Sequence, residues 1–318
     1  MGASSRLKSR YDGPALIVHG GAGGRAPEAE QPERRRALLQ AATAGGAILR
    51  DGGRALDAVI EAVRILEDHP LFNAGFGSCL TRDGTIEMDA GIMVAKKDLR
   101  NSTPQIEAGG AILVSRVRNP VLLAQLVMER TPHVLMAGRS AEQLARQNGL
   151  AMCRMSSLIT PRARCRWLAA ARRNSPDPAH EHGTVGAAAV DHAGNLAAAT
   201  STGGVAGKLC GRIGDSAIPG CGVFADSRAA VSATGVGEVI LKLGLARRAA
   251  AELVGRTPQA AVTRALAHVA DDGNGEAGLI LVDRTGRFGY AHNAPAMEIA
   301  TFHPIAGVRH LSVRSSRA

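Results

Sequence analysis

The chain has 318 residues, with 38 Lys and Arg against 28 Asp and Glu, a formal charge of +10, and 45% hydrophobic but only 3% aromatic residues. That length can bury a sizeable core as one large α/β domain or two smaller ones, and no Pro/Ser-rich linker separates balanced halves, which favours one compact unit. No apolar run approaches the roughly 18 residues of a membrane span, and the five cysteines lack the paired spacing of zinc or redox sites.

Residues 1–13 are basic and polar without an apolar stretch, so a disordered arm is expected there and not a secretory signal. Together with an odd number of cysteines, this points to reduced thiols and a cytoplasmic setting. Ala15 to Val18 predicts a short strand running into glycine-rich His19 to Gly24, where the backbone either approaches a site or simply turns. Glu33 to Leu49 suits a helix, and Gly52-Gly53 separates it from a second whose inner face is Leu56, Val59, Ile60, Val63 and Leu66. Strands are predicted at Ile86 to Val94 and Ala111 to Ser115. A helix follows with Asn119 as cap and Pro120 in its first turn, then another with Ser140 and Gln143 as a capping box. From Arg154 to His182 the periodicity weakens, and Asn174 to Pro178 cannot continue a helix, so a flexible tail is expected before Gly183.

Val185 to Val190 and Leu196 to Thr200 predict a hairpin around a turn at Asp191 to Asn195, which would bring Thr202 near Thr184. Beyond it the sequence predicts a strand at Ala229 to Thr234 and a helix at Glu238 to Leu253. A helix at Thr257 to Ala270 capped by Thr257 comes next, then a closing hairpin of Gly278 to Val282 with Arg287 to His292. Strands and helices come in runs, which argues for stacked layers and against a regular βαβ series.

The chemistry gathers around Gly183-Thr184. A threonine freed at its α-amine carries nucleophile and base in one residue, because an amine with a pKa of about 8 can take the hydroxyl proton. Threonine is equally an ordinary strand residue. Thr202 and Thr234 each allow the same bland reading, as strand ends that satisfy local backbone. Arg212 and Asp215 lie three apart in one glycine-rich turn, where they suit either a substrate's α-carboxylate and α-ammonium or a structural ion pair. The basic excess sits at both ends and at Arg162, Arg164, Arg166, Arg172 and Arg173. With Trp167 the sole aromatic near it, a solvated basic surface is expected and not a nucleic-acid site.

Several motifs occur in a fixed order: His19-Gly20-Gly21-Ala22-Gly23, Pro70-Leu71-Phe72-Asn73-Ala74-Gly75, Arg118-Asn119-Pro120-Val121, Gly183-Thr184-Val185-Gly186, Thr200-Ser201-Thr202-Gly203-Gly204, Gly211-Arg212-Ile213-Gly214-Asp215-Ser216 and Thr234-Gly235-Val236-Gly237-Glu238. In this combination, from about Pro14 to Tyr290, the chain closely resembles the plant-type asparaginase and isoaspartyl peptidase family of N-terminal nucleophile hydrolases. The resemblance implies an α+β fold, a four-layer αββα sandwich formed by one domain. It implies self-cleavage between Gly183 and Thr184 into residues 1–183 and 184–318, which stay together, with a dimer of cleaved heterodimers as the assembly.

By the same resemblance Thr184 is the nucleophile and Thr202 tunes its proton transfer. The Thr234 hydroxyl and the Gly235 N–H form the oxyanion hole, and Arg212, Asp215, Gly235 and Gly237 hold the substrate. The implied substrates are the small molecules L-asparagine and β-aspartyl dipeptides, with no nucleic-acid or membrane partner and no catalytic cofactor. A structural sodium ion is implied on the backbone carbonyls of Leu66, Glu67, His69, Phe72, Ala74 and Phe76, with Asn73 as a supporting hydrogen-bond residue. Val94-Ala95-Lys96 departs from the Asp-Gly that often follows the Met of that strand. The nearest rival is a glycosylasparaginase, which usually has Asp before the nucleophile and Thr-Asn-Gly later, where this chain has Gly183 and Thr202-Gly203-Gly204. A basic binding protein that keeps the fold without maturing is the rival from another class.

Overall fold

The computed structural model describes residues 13–97, 104–173, 183–271, 275–313 and 315. The expected arm, apart from Gly13, and the expected tail at 174–182 lie outside the described residues. Strand β1 (Ala15–Gly23) is followed by helices α1 (Gln31–Arg50) and α2 (Ala55–Glu67), strands β2 (Met88–Lys96) and β3 (Gln105–Val114), helix α3 (Pro120–Arg130), strand β4 (Leu135–Ala137), and helices α4 (Gly138–Gln147) and α5 (Pro161–Arg173). Past Thr184 come β5 (Val185–Val190), β6 (Leu196–Thr202), β7 (Val223–Ala225), β8 (Ala229–Gly235), α6 (Gly237–Leu243), α7 (Leu245–Ala251), α8 (Pro258–Asp271), β9 (Ala277–Asp283), β10 (Phe288–His292), β11 (Ala296–His303) and β12 (Gly307–Ser312).

Eight strands form one sheet in the order β12-β11-β1-β5-β6-β2-β3-β4, antiparallel except for β3 with β4, and β10-β9-β8-β7 form a second, antiparallel sheet. Three apolar seams join four layers. Leu16, Val18, Ala187 and Ala199 of the first sheet pack on α1, α2 and α3, whereas Ile17, Ala188, Ala198 and Met93 meet Ile280, Val282 and Ala230 of the second. On the far side Val231, Leu279 and Leu281 pack on α6, α7 and α8. Alternation along the strands sends successive side chains to opposite seams. The arrangement is the αββα sandwich expected from the family.

Two ties hold α2 to the hairpin, one at the β5–β6 turn away from Thr184 and one at the end where Thr184 and Thr202 lie. Asp191 in the β5–β6 turn accepts from Ala193 and Asn195 N–H, and its other oxygen accepts from the Ala55 N–H at the start of α2, 3.1 Å away. Glu67, fully buried at the end of α2, accepts from the Val121 N–H of α3 at 3.0 Å and from the Ser201 hydroxyl of β6 at 2.6 Å. Glu67 thus satisfies the first turn of α3, which Asn119 does not; the Asn119 side chain turns to Asp68. Replacing Glu67 with alanine would leave a buried N–H and a hydroxyl without their acceptor. It should cost about 1–3 kcal/mol in chemical denaturation, while Glu67→Gln, which keeps an acceptor oxygen, should stay close to wild type.

Several sequence expectations are corrected. The Ser140–Gln143 capping box does not form, because α4 already begins at Gly138; Glu142 accepts instead from the Ser115 and Arg116 N–H groups. The helix expected at Glu238 to Leu253 is two helices, broken at Gly244 in the left-handed region, φ 55°. The weak stretch from Arg154 contains α5, whose Arg162 and Arg166 turn inward and do not join a solvated basic face. Thr257 does cap α8, accepting from the Ala260 N–H at 3.3 Å.

Candidate active site

Strand pairing places the candidate residues along one end of the sandwich. His19 pairs with Gly186 and Val185 with Ser201, so one step further along the antiparallel hairpin sets Thr184 opposite Thr202, which in turn pairs with Asp89. The Thr184 and Thr202 hydroxyls are 3.1 Å apart, and both residues are buried. Thr202 Oγ1 also accepts from the Gly204 N–H at 3.1 Å. That bond fixes its lone pairs and directs its remaining bonding capacity toward Thr184.

Gly183 lies against Asn73. The Asn73 N–H donates to the Gly183 carbonyl at 3.2 Å, its own carbonyl accepts from Gly203 N–H at 2.8 Å, and its side chain bridges the Gly204 carbonyl and the Cys79 N–H at 2.6 and 2.8 Å. Every polar group of Asn73 is therefore used to join the peptide preceding Thr184 to the loop following Thr202. A Cβ on residue 183 would stand 2.7 Å from Asn73 Cβ, so only glycine fits this approach.

Beneath Thr184, His19 Nε2 is 2.8 Å from Ser232 Oγ, which is 2.8 Å from Thr200 Oγ1, and Thr200 donates to the Gly222 carbonyl. Burial lowers the His19 pKa to about 3, so the imidazole is neutral and acts as a spacer between the sheets. From His19 the chain turns through Gly20-Gly21, and the Ala22 N–H donates to Thr234 Oγ1 at 3.2 Å. This bond brings Thr234, in the second sheet, to the end of the sandwich where Thr184 lies. With the Ala22 N–H as donor, the Thr234 hydroxyl keeps its proton for another acceptor.

Arg212 and Asp215 converge on Gly237. A Cβ there would lie 2.6 Å from an Arg212 terminal nitrogen and 2.9 Å from Asp215 Oδ1. The two do not form the ion pair their spacing allowed. Arg212 instead makes a bidentate pair with Glu238, at 2.8 and 2.9 Å. Asp215 is buried with Oδ2 lacking any hydrogen-bond partner, and burial pushes its pKa up to about 7 against the pull of the Arg212 charge. A carboxylate held in this way favours an incoming cation that can replace its lost hydration.

Glu238 was not singled out in the sequence, although it ends the Thr-Gly-Val-Gly-Glu motif. Nor were Asp89 and Lys208, whose signal is a charge inside an apolar run and a lysine directly after Gly207 in a glycine-rich loop. Asp89 accepts from Leu113 N–H at 2.9 Å and Gly214 N–H at 3.5 Å, and Lys208 Nζ donates to the Glu87 carbonyl at 2.7 Å. Burial raises the Asp89 pKa and lowers that of Lys208, each opposed by the other's charge. Together they fix the turn that carries Arg212 and Asp215 against β2.

The loop after α2 is closed by its own turns: Phe76 N–H donates to the Glu67 carbonyl at 2.7 Å, His69 N–H to Leu66 at 3.2 Å and Phe72 N–H to His69 at 3.3 Å. Gly75 and Gly77 take positive φ, 53° and 121°, where Gly75 folds back on Glu67. Each carbonyl has a second lone pair, so Leu66, Glu67, His69, Phe72, Ala74 and Phe76 offer neutral oxygen donors of the kind a hard cation takes. Among the described residues no three His, Cys, Asp or Glu side chains are grouped to hold a metal.

The family model described as Asparaginase matches residues 12–306. The chain is 41% identical to the isoaspartyl peptidase/L-asparaginase of Danio rerio over 282 residues, 86% of this chain and 87% of that protein. It is 43% identical to the isoaspartyl peptidase of Salmonella typhimurium over 299 residues, covering 89% and 93% of the two. To the isoaspartyl peptidase/L-asparaginase of Homo sapiens it is 41% identical over 278 residues, 86% and 88%. Matched along nearly its whole length by the family model, and along most of the length of each of these relatives, the chain belongs to the asparaginase family.

Proposed function

We propose that the protein is a threonine hydrolase that matures by cleaving its own Gly183–Thr184 bond and then hydrolyses β-aspartyl dipeptides and the side-chain amide of L-asparagine. The observation that carries this reading is the Thr184 hydroxyl, 3.1 Å from that of Thr202 and adjoining a Gly183 carbonyl that accepts the Asn73 N–H. In maturation Thr184 Oγ1 adds to the Gly183 carbonyl carbon while the Asn73 amide supports the developing oxyanion. The hydroxyl proton passes to the Thr184 nitrogen as the C–N bond breaks, leaving an ester, and water then releases a Gly183 carboxylate and restores the Thr184 hydroxyl.

In turnover the free amine takes the Thr184 hydroxyl proton as Oγ1 attacks the β-carbonyl of the substrate. The Thr234 hydroxyl and Gly235 N–H receive the oxyanion, the amine returns its proton to the leaving nitrogen, and water cleaves the aspartyl ester. Arg212 takes the substrate α-carboxylate and Asp215 its α-ammonium, with Gly237 supplying room and a backbone carbonyl between them. The family's sodium ion fits the neutral carbonyl set of the 66–76 loop as a structural element. A dimer of cleaved heterodimers and a cytoplasmic location complete the reading; among the described residues no helix is long and apolar enough to cross a membrane.

The assay that tests the reading compares kcat/KM for β-Asp-Leu, L-asparagine and N4-(β-N-acetylglucosaminyl)-L-asparagine. Preference for the first two is expected. Preference for the sugar conjugate would make the chain a glycosylasparaginase, and inertness toward all three would leave a binding protein.

The pH profile has a defined sign. Asp215, with its pKa near 7, must be ionised to hold an ammonium, and the Thr184 amine, at about 8, must be neutral to act as base. Both conditions fail as pH falls, so log kcat/KM for L-asparagine should drop from about pH 8 with a slope near 1 that steepens toward 2 below pH 7. The kcat limb should be shallower, because bound ammonium keeps Asp215 charged.

A further inference from the structure

A second cationic centre lies beside Gly183, apart from the Arg212 clamp. Gly183 and Asn73 line one wall of a small cavity whose other walls are Gly24, Arg25, Ala26, Leu71 and three more arginines, Arg34, Arg162 and Arg166. Arg34 of α1 and Arg162 of α5 both donate to the Leu71 carbonyl. Arg34 also lies over the Phe72 ring, 4.6 Å from its centroid, and donates to the Gly20 carbonyl at 3.2 Å. Two carboxylates approach the cluster, Glu298 at 3.6 Å from Arg34 and Glu30 at 3.3 Å from Arg162. Burial lowers the pKa of Arg34 and Arg166; neighbouring guanidiniums push in the same direction, while Glu298 opposes this more strongly at Arg34 and Cys79 does so at Arg166. Mutual repulsion of this kind in a concave, partly desolvated wall is relieved by a bound anion.

The position of the cavity indicates which anion. The Arg212–Asp215 turn is tied to β2 through Gly214 and Asp89, on the Thr202 side of Thr184. The arginine cavity is tied to β1 and β11 through Gly20 and Glu298, on the opposite side. An aspartyl group held by its α-groups at the clamp must extend its leaving half past Thr184, toward the ground that Gly183 occupies before cleavage.

We propose that this cavity is a carboxylate subsite for the leaving group, taking the free C-terminal carboxylate of a β-aspartyl dipeptide, which L-asparagine lacks. The inference rests on the hydrolase reading above and adds a preference within it. A carboxylate at the same place has a second source, the Gly183 terminus released by maturation, and the two are separable.

The experiment uses mature wild-type protein and compares β-Asp-Leu with β-Asp-Leu amide, with L-asparagine in parallel. The free acid should be preferred by about 10- to 100-fold in kcat/KM, as expected for one charge-assisted hydrogen-bond pair. Arg162→Met should shrink that preference and lower the ratio of β-Asp-Leu to L-asparagine turnover by a similar factor. Arg25→Gln, at an exposed wall position, should do the same to a smaller extent without the risk of disturbing the α5 packing. Equal turnover of acid and amide by the wild type would overturn the subsite while leaving the hydrolase reading intact. Equal turnover together with an Arg162→Met loss of Tm seen only in cleaved protein would assign the cavity to the Gly183 carboxylate and likewise overturn it. Inertness of the mature protein toward all three substrates would overturn both readings at once.

Discussion

Thr184→Ala is expected to leave a single uncut chain of 32.9 kDa and to lower β-aspartyl hydrolysis by roughly 10⁴- to 10⁶-fold, the scale on which removal of a nucleophile acts when the remaining groups work only with it. The two losses would have one cause, because in the proposed mechanism the same hydroxyl attacks first the Gly183 carbonyl and then the substrate. Thr184→Ser separates chemistry from packing. It keeps the hydroxyl within reach of Thr202 but loses a methyl from a buried position, so it should still cleave, more slowly, and retain measurable turnover. Gel electrophoresis under denaturing conditions follows the cleavage, and ammonia or leucine release follows the turnover. An Ala variant that cut at the wild-type rate would remove Thr184 from the mechanism.

Asp215→Asn should act on function and stability with opposite signs. Substrate binding should suffer, with kcat/KM for L-asparagine falling about 100- to 1,000-fold, chiefly through KM, because a neutral amide replaces the counter-charge of the α-ammonium. The folded protein should become more stable above pH 7, because the wild type keeps there a buried carboxylate whose Oδ2 has no partner. The folded-state pKa of about 7 stands above the ordinary carboxyl value of 3.8, so wild-type stability declines as pH rises through that window. The advantage of Asp215→Asn should therefore be full above pH 7 and vanish below pH 4. Denaturant melts at pH 4 and pH 8 read the difference, and a destabilised Asp215→Asn protein at pH 8 would mean that the carboxylate has a structural partner.

The elements nearest Thr184 were the most legible. The hairpin of β5 and β6 is written in two short apolar runs around Asp191 to Asn195, and its register alone carries Thr202 to Thr184. Long-range pairings were not legible. β11 and β12 close the first sheet beside β1, yet their segments carry no clear alternation, because β11 is buried for most of its length and β12 lies at the sheet edge. α5 was missed for a related reason: its arginines break the apolar periodicity, and two of them face a cavity that only tertiary packing creates.

The site shows the same division between local and distant information. Motif order picked out the three threonines and the Arg212–Asp215 turn. The partner that Arg212 takes, Glu238, comes from the start of α6, and the pairing of Thr234 with Ala22 crosses from one sheet to the other. Spacing in sequence treated Arg212 and Asp215 as a pair because they are three residues apart. In the fold Gly237 stands between them, and the gap left by its missing side chain is where the substrate's α-carbon groups are proposed to sit.

The proposed maturation makes Thr184 a terminal residue. Intact mass measurement of the purified protein under denaturing conditions, repeated over several days, tests it most directly. Two species are expected in equal amount, residues 1–183 and residues 184–318, the second beginning with a free threonine amine. A persistent single species of 32.9 kDa, or a cut at any other bond, would contradict it.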